Sequence, residues 1–169
     1  VMNREGYRNL CQLITRGRRS APKGQCKLML RDIAEHAQGS LAGVLRSSVS
    51  PSMKGYLGLL RDAFADRLHW LVALHHGSQD LCWLQDGLKL EKETKIPLLA
   101  SNDVHYHVRQ RQPLQDVLAA VRHGCTVAEL GDLRFPNAER HLKSPAEMSA
   151  LFTLCPESVA RTLEIAKRF

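Results

Sequence analysis

The chain has 169 residues, a hydrophobic fraction of 44% and a net charge of +7, which suits one domain with a real core and a polyanionic partner. Its five cysteines are odd in number and form no CxxC pair, which excludes a disulfide framework or zinc ribbon and fits a reducing, cytoplasmic setting. No apolar run approaches the roughly 20 residues of a membrane span, and the N-terminus lacks the apolar core of a signal peptide.

Asn3 is placed to cap a first helix, "REGYRNLCQLITRGRR", whose Leu10, Leu13 and Ile14 share one face. A basic, turn-prone stretch with Arg16, Arg18, Arg19 and Lys23 follows. "LMLRDIAEHA" has helical spacing, "SLAGVLR" reads as a short strand, and "SSVSPS" is a loop in which Ser50 or Ser52 can cap the next helix. That helix, "MKGYLGLLRDAFADRL", is weakened by Gly55 and Gly58. The β-prone run "HWLVALHH" ends at Gly77, and a helix follows with Leu81, Leu84 and Leu88 on one side.

"IPLLASNDV" is the next strand. Pro113 and Gly124 bracket the helix after it, as start and stop signals should. A looped segment, "CTVAELGDLRFPNAERHLKS", leads to two short helices around "PAEMSALF" and "PESVARTLEIAKRF". Strands near 41–46, 69–75 and 96–102 thus alternate with helices, the pattern of parallel βαβ units. Both ends of the chain fall within helical patterns, which implies a segment of a longer polypeptide. There is no GxGxxG, P-loop or GxSxG sequence, so the usual nucleotide-binding and serine-nucleophile signatures are missing.

Chemistry concentrates at two strand ends. "ALHHG" carries His75 and His76, and "NDVHYH" carries Asp103, His105 and His107. Residues two apart on an extended chain point the same way, so Asp103 and His105 project together. Carboxyl ends of parallel strands converge on a common centre, where imidazole and carboxylate suit Zn, Mn or Fe. His36, His69, His123 and His141 are assigned to helices or loops without a ligand role. Asp62, Asp66, Asp80 and Asp86 are read as solvated helix residues.

The stretches "REGYRNLCQLITRGRR", "NDVHYH", "PLQDVLAAVRHG" and "NAERHLKSPAEM", taken in order, resemble the bacterial DNA polymerase III alpha-subunit family. "DVHYHVRQRQPLQDVL" and the "RRSAPKGQ" loop are most similar to its error-prone branch. The resemblance falls on the PHP (polymerase and histidinol phosphatase) domain. It implies an α/β fold, a partial distorted (β/α)7 barrel without its N-terminal part, over residues 1–135. Residues 136–169 would then be a helical segment leading toward a palm domain beyond the chain.

The resemblance further implies a divalent metal site (Zn, Mn or Mg in the family) closed by Asp103 and His105, with either His75 or His76 as the middle ligand. The family's early His-x-His has no counterpart before His75, so this chain alone is not expected to hold a full cluster. It also implies a parent that is a DNA-directed DNA polymerase, a nucleotidyltransferase acting in damage-tolerant replication and repair. Its partners would be DNA and the other polymerase domains. Arg18, Arg19, Arg109 and Arg111 are candidate weak DNA contacts. The alternatives are a free-standing PHP-type phosphoesterase and an interaction module with a decayed site.

Overall fold

The computed structural model describes residues 1–45 and 56–169. Three parallel strands, β1 (Ala42–Leu45), β2 (Leu68–Ala73) and β3 (Leu98–Ser101), form one sheet in chain order. Register pairs Val44 with Trp70 and Trp70 with Leu98, so these three side chains lie in one row. Parallel strands need crossovers. One is supplied by α3 (Leu57–Phe64) and the other by α4 (Asp80–Thr94). The expected strand–helix alternation and the parallel sheet are therefore present.

Strands β2 and β3 are buried on both faces, and one face joins the main core. Leu68, Trp70 and Val72 of β2 and Leu98 and Ala100 of β3 join one core with Leu57, Leu60 and Phe64 of α3 and Leu84 of α4. Phe152, after α6 (Pro145–Leu151), and Cys155, before α7 (Pro156–Ala166), complete it. Helix α7 packs on β3, and Arg161 donates to the Leu98 carbonyl at 2.7 Å while pairing with Glu91 at 2.9 Å. Glu91 in turn accepts the Leu98 N–H at 3.2 Å, so one ion pair satisfies both backbone groups of that residue.

Helix boundaries follow local chemistry. Asn3 caps α1 (Arg4–Arg19) by accepting from Gly6 N at 2.9 Å. Pro113 opens α5 (Gln112–His123), and Gly124 closes it with φ +65°. The apolar face expected on α1 is not a buried one: Leu10 and Ile14 are exposed, and its buried residues are Gly6 and Gly17. The reason is close backbone approach, since a Cβ on Gly6 would lie 1.9 Å from the Gly39 carbonyl oxygen. Within α4 only part of the expected stripe is covered: Leu84 is buried and Leu81 is exposed.

His69 lies in β2 and is buried, not in a helix or loop. The "SSVSPS" loop, the Ser50 or Ser52 cap and Gly55 lie outside the described residues. Among the described residues, no helix is long and apolar enough to cross a membrane.

Candidate functional site

Both site-bearing strands end by turning through a left-handed residue. His76 has φ +53° just after β2, and Asp103 has φ +44° just after β3. His, Asp and Asn enter this region more readily than other side chains, which suits them to such corners. The strand therefore stops at Ser101, before Asp103 and His105, so strand alternation does not bring these two together. The turn does, placing His105 Nε2 at 3.6 Å from Asp103 Oδ1.

A distant segment, residues 135–143, lies across both strand ends. Asn137 Nδ2 donates to the His75 carbonyl at 2.7 Å, and Asn102 Nδ2 donates to the His141 carbonyl. His105 N donates to the Arg140 carbonyl at 2.9 Å, and Leu142 N donates to the Tyr106 carbonyl at 3.1 Å. Lys143, whose side chain is only 2% exposed, donates to Asn102 Oδ1 at 3.0 Å and to the Glu139 carbonyl. Its ammonium lies 3.4 Å from the Glu139 carboxylate, which also sits 3.3 Å from Arg109 and 3.9 Å from His76. This clasp ties β2 to β3 through polar side chains that are almost never buried unless paired.

His75 and Asp103 line one cleft of about 230 Å³, with Arg140 beside them and Leu71, Ala73 and Trp83 as apolar wall. The structure thus brings the ends of β2 and β3 to one cleft, and His75 is the histidine on it. His76 faces Glu139 instead. His75 Nε2 is 2.9 Å from the Asn102 carbonyl, to which it can only donate, which leaves Nδ1 as the ring's acceptor. Arg140 pairs its guanidinium with the Asp103 carboxylate and stacks over Phe135 at 4.2 Å. His105 meets the same ring edge-on at 4.7 Å. His107 is exposed.

These side chains do not fit a divalent cation as they stand. Asp103 already holds a guanidinium, and His75 gives Nε2 to a carbonyl. Among the described residues, no group of three or more His, Cys, Asp and Glu could hold a metal ion. Sequence reasoning missed Glu139, Arg140 and Lys143 as members of this site, although "NAERHLKSP" carried part of the resemblance. It also missed Asp80, whose Oδ2 accepts the His75 N–H at 2.8 Å from the first turn of α4. Arg18 and Arg19 are exposed at the C-terminus of α1, where cations complement the helix dipole. Arg109 and Arg111 bound a single 3-10 turn before α5, and Arg109 is partly neutralised by Glu139.

Burial lowers the pKa of His75, and the nearby Arg140 and Lys143 push it the same way. Burial followed by Arg168 and Arg161 lowers that of His69. The ordinary value is 6.5, so below it the unfolded chain binds protons that the folded chain refuses. Stability is therefore complete above about pH 6.5 and falls as pH drops below it. Urea unfolding at pH 7.5 and 5.5 reads this, and His69→Gln and His75→Gln should each flatten the slope. An unfolding midpoint that rises toward pH 5.5 contradicts it.

No family model matches the chain. Against curated proteins, it is 37% identical to the error-prone DNA polymerase of Rhodopirellula baltica, over 98% of this chain and 16% of that protein. It is 42% identical to that of Pseudomonas syringae pv. tomato, over 99% of this chain and 16% of the relative. It is 41% identical to that of Pseudomonas aeruginosa, over 97% of this chain and 15% of the relative. The chain thus spans about a sixth of the length of the polymerases it matches.

Proposed function

We propose, from the premise that the chain corresponds to a segment of error-prone DNA polymerases, that it forms an arc of a PHP-type barrel within a DNA-directed DNA polymerase that copies damaged templates. The observation that carries this reading is the match along nearly the whole chain to several such polymerases at 37–42% identity. Three successive parallel strands with a polar site at their carboxyl ends support it, because barrel sites form there.

Within the parent, the role of this segment is positional. The clasp of residues 135–143 holds two strand ends and presents Arg109 and Arg111 next to them, with Arg18 and Arg19 on another exposed helix end. These cations are set to hold template or primer phosphates, and counterion release makes such contacts steeply salt-dependent. Tyr106, the aromatic just before Arg109 and Arg111, has a buried ring, so base stacking adds little there. The chain itself carries no phosphatase or polymerase activity in this reading.

A chimera tests it. Residues 1–169 replace the matching segment of the Pseudomonas aeruginosa enzyme, and primer extension across a lesion is measured. Extension within a few-fold of the parent supports the reading, and a folded chimera with no extension overturns it. Charge removal at Arg109 and Arg111, and separately at Arg18 and Arg19, should weaken single-strand binding and lower its salt slope by about one per lost phosphate contact.

A further inference from the structure

We propose that Arg140 is the resident cation of the strand-end site: its guanidinium occupies the Asp103 carboxylate and keeps divalent metal ions away from Asp103 and His105. Asp103 and His105 are otherwise disposed to share a ligand, with Oδ1 and Nε2 3.6 Å apart, and Asp103 also lines the cleft. Three features fix the arginine in that place. Its backbone carbonyl accepts from His105 N at 2.9 Å and Tyr106 N at 3.3 Å. Its side chain is four-fifths covered, and the guanidinium carbon lies over the Phe135 ring at 4.2 Å. Phe135 also touches the His105 ring, so one aromatic positions both the cation and the imidazole.

A planar fork held this way satisfies a carboxylate through directed N–H donors, which a metal ion would have to displace. The surroundings reinforce the exclusion. Two cations, Lys143 and Arg109, share the one carboxylate of Glu139, which leaves a net positive charge on the clasp. The ligand class this site takes is thus an internal guanidinium, and its function is to lock the Asp103 corner onto the segment carrying Arg140. The inference rests on this chain's geometry and does not depend on the polymerase reading.

The test is a Mn²⁺ titration of the 169-residue chain, read as paramagnetic broadening of the His105 ring signals by NMR. In the wild type these signals should stay sharp at equimolar Mn²⁺. In Arg140→Gln they should broaden, with an apparent affinity at least about tenfold higher, because a carboxylate freed of its cation attracts the dication. Adding Asp103→Asn to Arg140→Gln should abolish the gain, and Arg140→Lys, which keeps a cation in reach, should stay sharp. Equal broadening in wild type and Arg140→Gln overturns the proposal, as does a folded Arg140→Gln that never broadens. If Arg140→Gln does not fold, the wild type decides: broadening at micromolar Mn²⁺ that Asp103→Asn removes is equally fatal to the idea.

Discussion

Trp70→Ala lowers folding stability by about 3–5 kcal/mol, the range for deleting a large buried aromatic. Trp70 is 1% exposed on the central strand, in register with Val44 on one side and Leu98 on the other. Its removal opens a cavity that rigid sheet backbone cannot close. The indole also donates to Thr94 Oγ1 at 2.9 Å, and that hydroxyl donates onward to the Leu90 carbonyl at 2.6 Å, anchoring the end of α4. Trp70→Phe separates the two effects: it keeps most of the volume, loses the hydrogen bond and should cost about 1–2 kcal/mol. Against a typical domain stability of about 5–15 kcal/mol, the alanine variant approaches the unfolding threshold. Urea titration followed by circular dichroism measures both variants. An alanine variant within 1 kcal/mol of wild type would show that the row through Trp70 is not the core's centre.

What the sequence revealed divides along the range of the interactions involved. Elements set by neighbours in the chain were legible: the Asn3 cap, the Pro113 and Gly124 bounds of α5, and the three parallel strands, each within a few residues of its expected place. The helix faces were less so. Leu10, Ile14 and Leu81 have the right spacing yet stay exposed, because periodicity says which residues share a face and not what covers it. On α1 the buried residues are glycines, Gly6 letting Gly39 approach and Gly17 letting Cys26 and Leu28 approach, and no hydrophobic scale records that.

The site was half legible for the same reason. His75, Asp103 and His105 could be paired because strand ends of parallel units converge, although the agent that joins Asp103 to His105 is a left-handed corner and not strand alternation. The clasp was invisible to local reasoning. Asn137 meets His75 across 62 residues and Lys143 meets Asn102 across 41. A lysine in a polar, turn-rich stretch reads as a solvated charge, and only tertiary contacts reveal that it is buried. For Arg109, a candidate weak DNA contact, the fold adds a carboxylate partner in Glu139 that no local pattern announced.

Lys143→Met carries the other large expected effect, a loss of about 3–5 kcal/mol, because it leaves a buried carboxylate with only the half-exposed Arg109 as counter-charge. Glu139 is 10% exposed at the side chain, one of its oxygens has no hydrogen-bond partner, and of the two cations beside it Lys143 is buried while Arg109, at 3.3 Å, is half exposed to solvent. The same substitution strips Asn102 Oδ1 of its donor and frees the carbonyl of Glu139. Asn102 also holds His141 and accepts from the His75 ring, so the damage should spread to both strand ends. Charge is the cause tested by the double variant Lys143→Met/Glu139→Gln. It removes the carboxylate that has lost its buried partner while keeping similar volume, and replacing a whole buried pair is often near neutral. The double variant should therefore recover most of the stability lost by the single one. Urea midpoints give the energies, and the His75 and His105 ring signals report whether the clasp has reseated. If Lys143→Met costs less than about 1 kcal/mol, the ammonium is not fastening the strand ends. If the double variant is as unstable as the single, the loss comes from Asn102 and the backbone rather than from the stranded Glu139 charge.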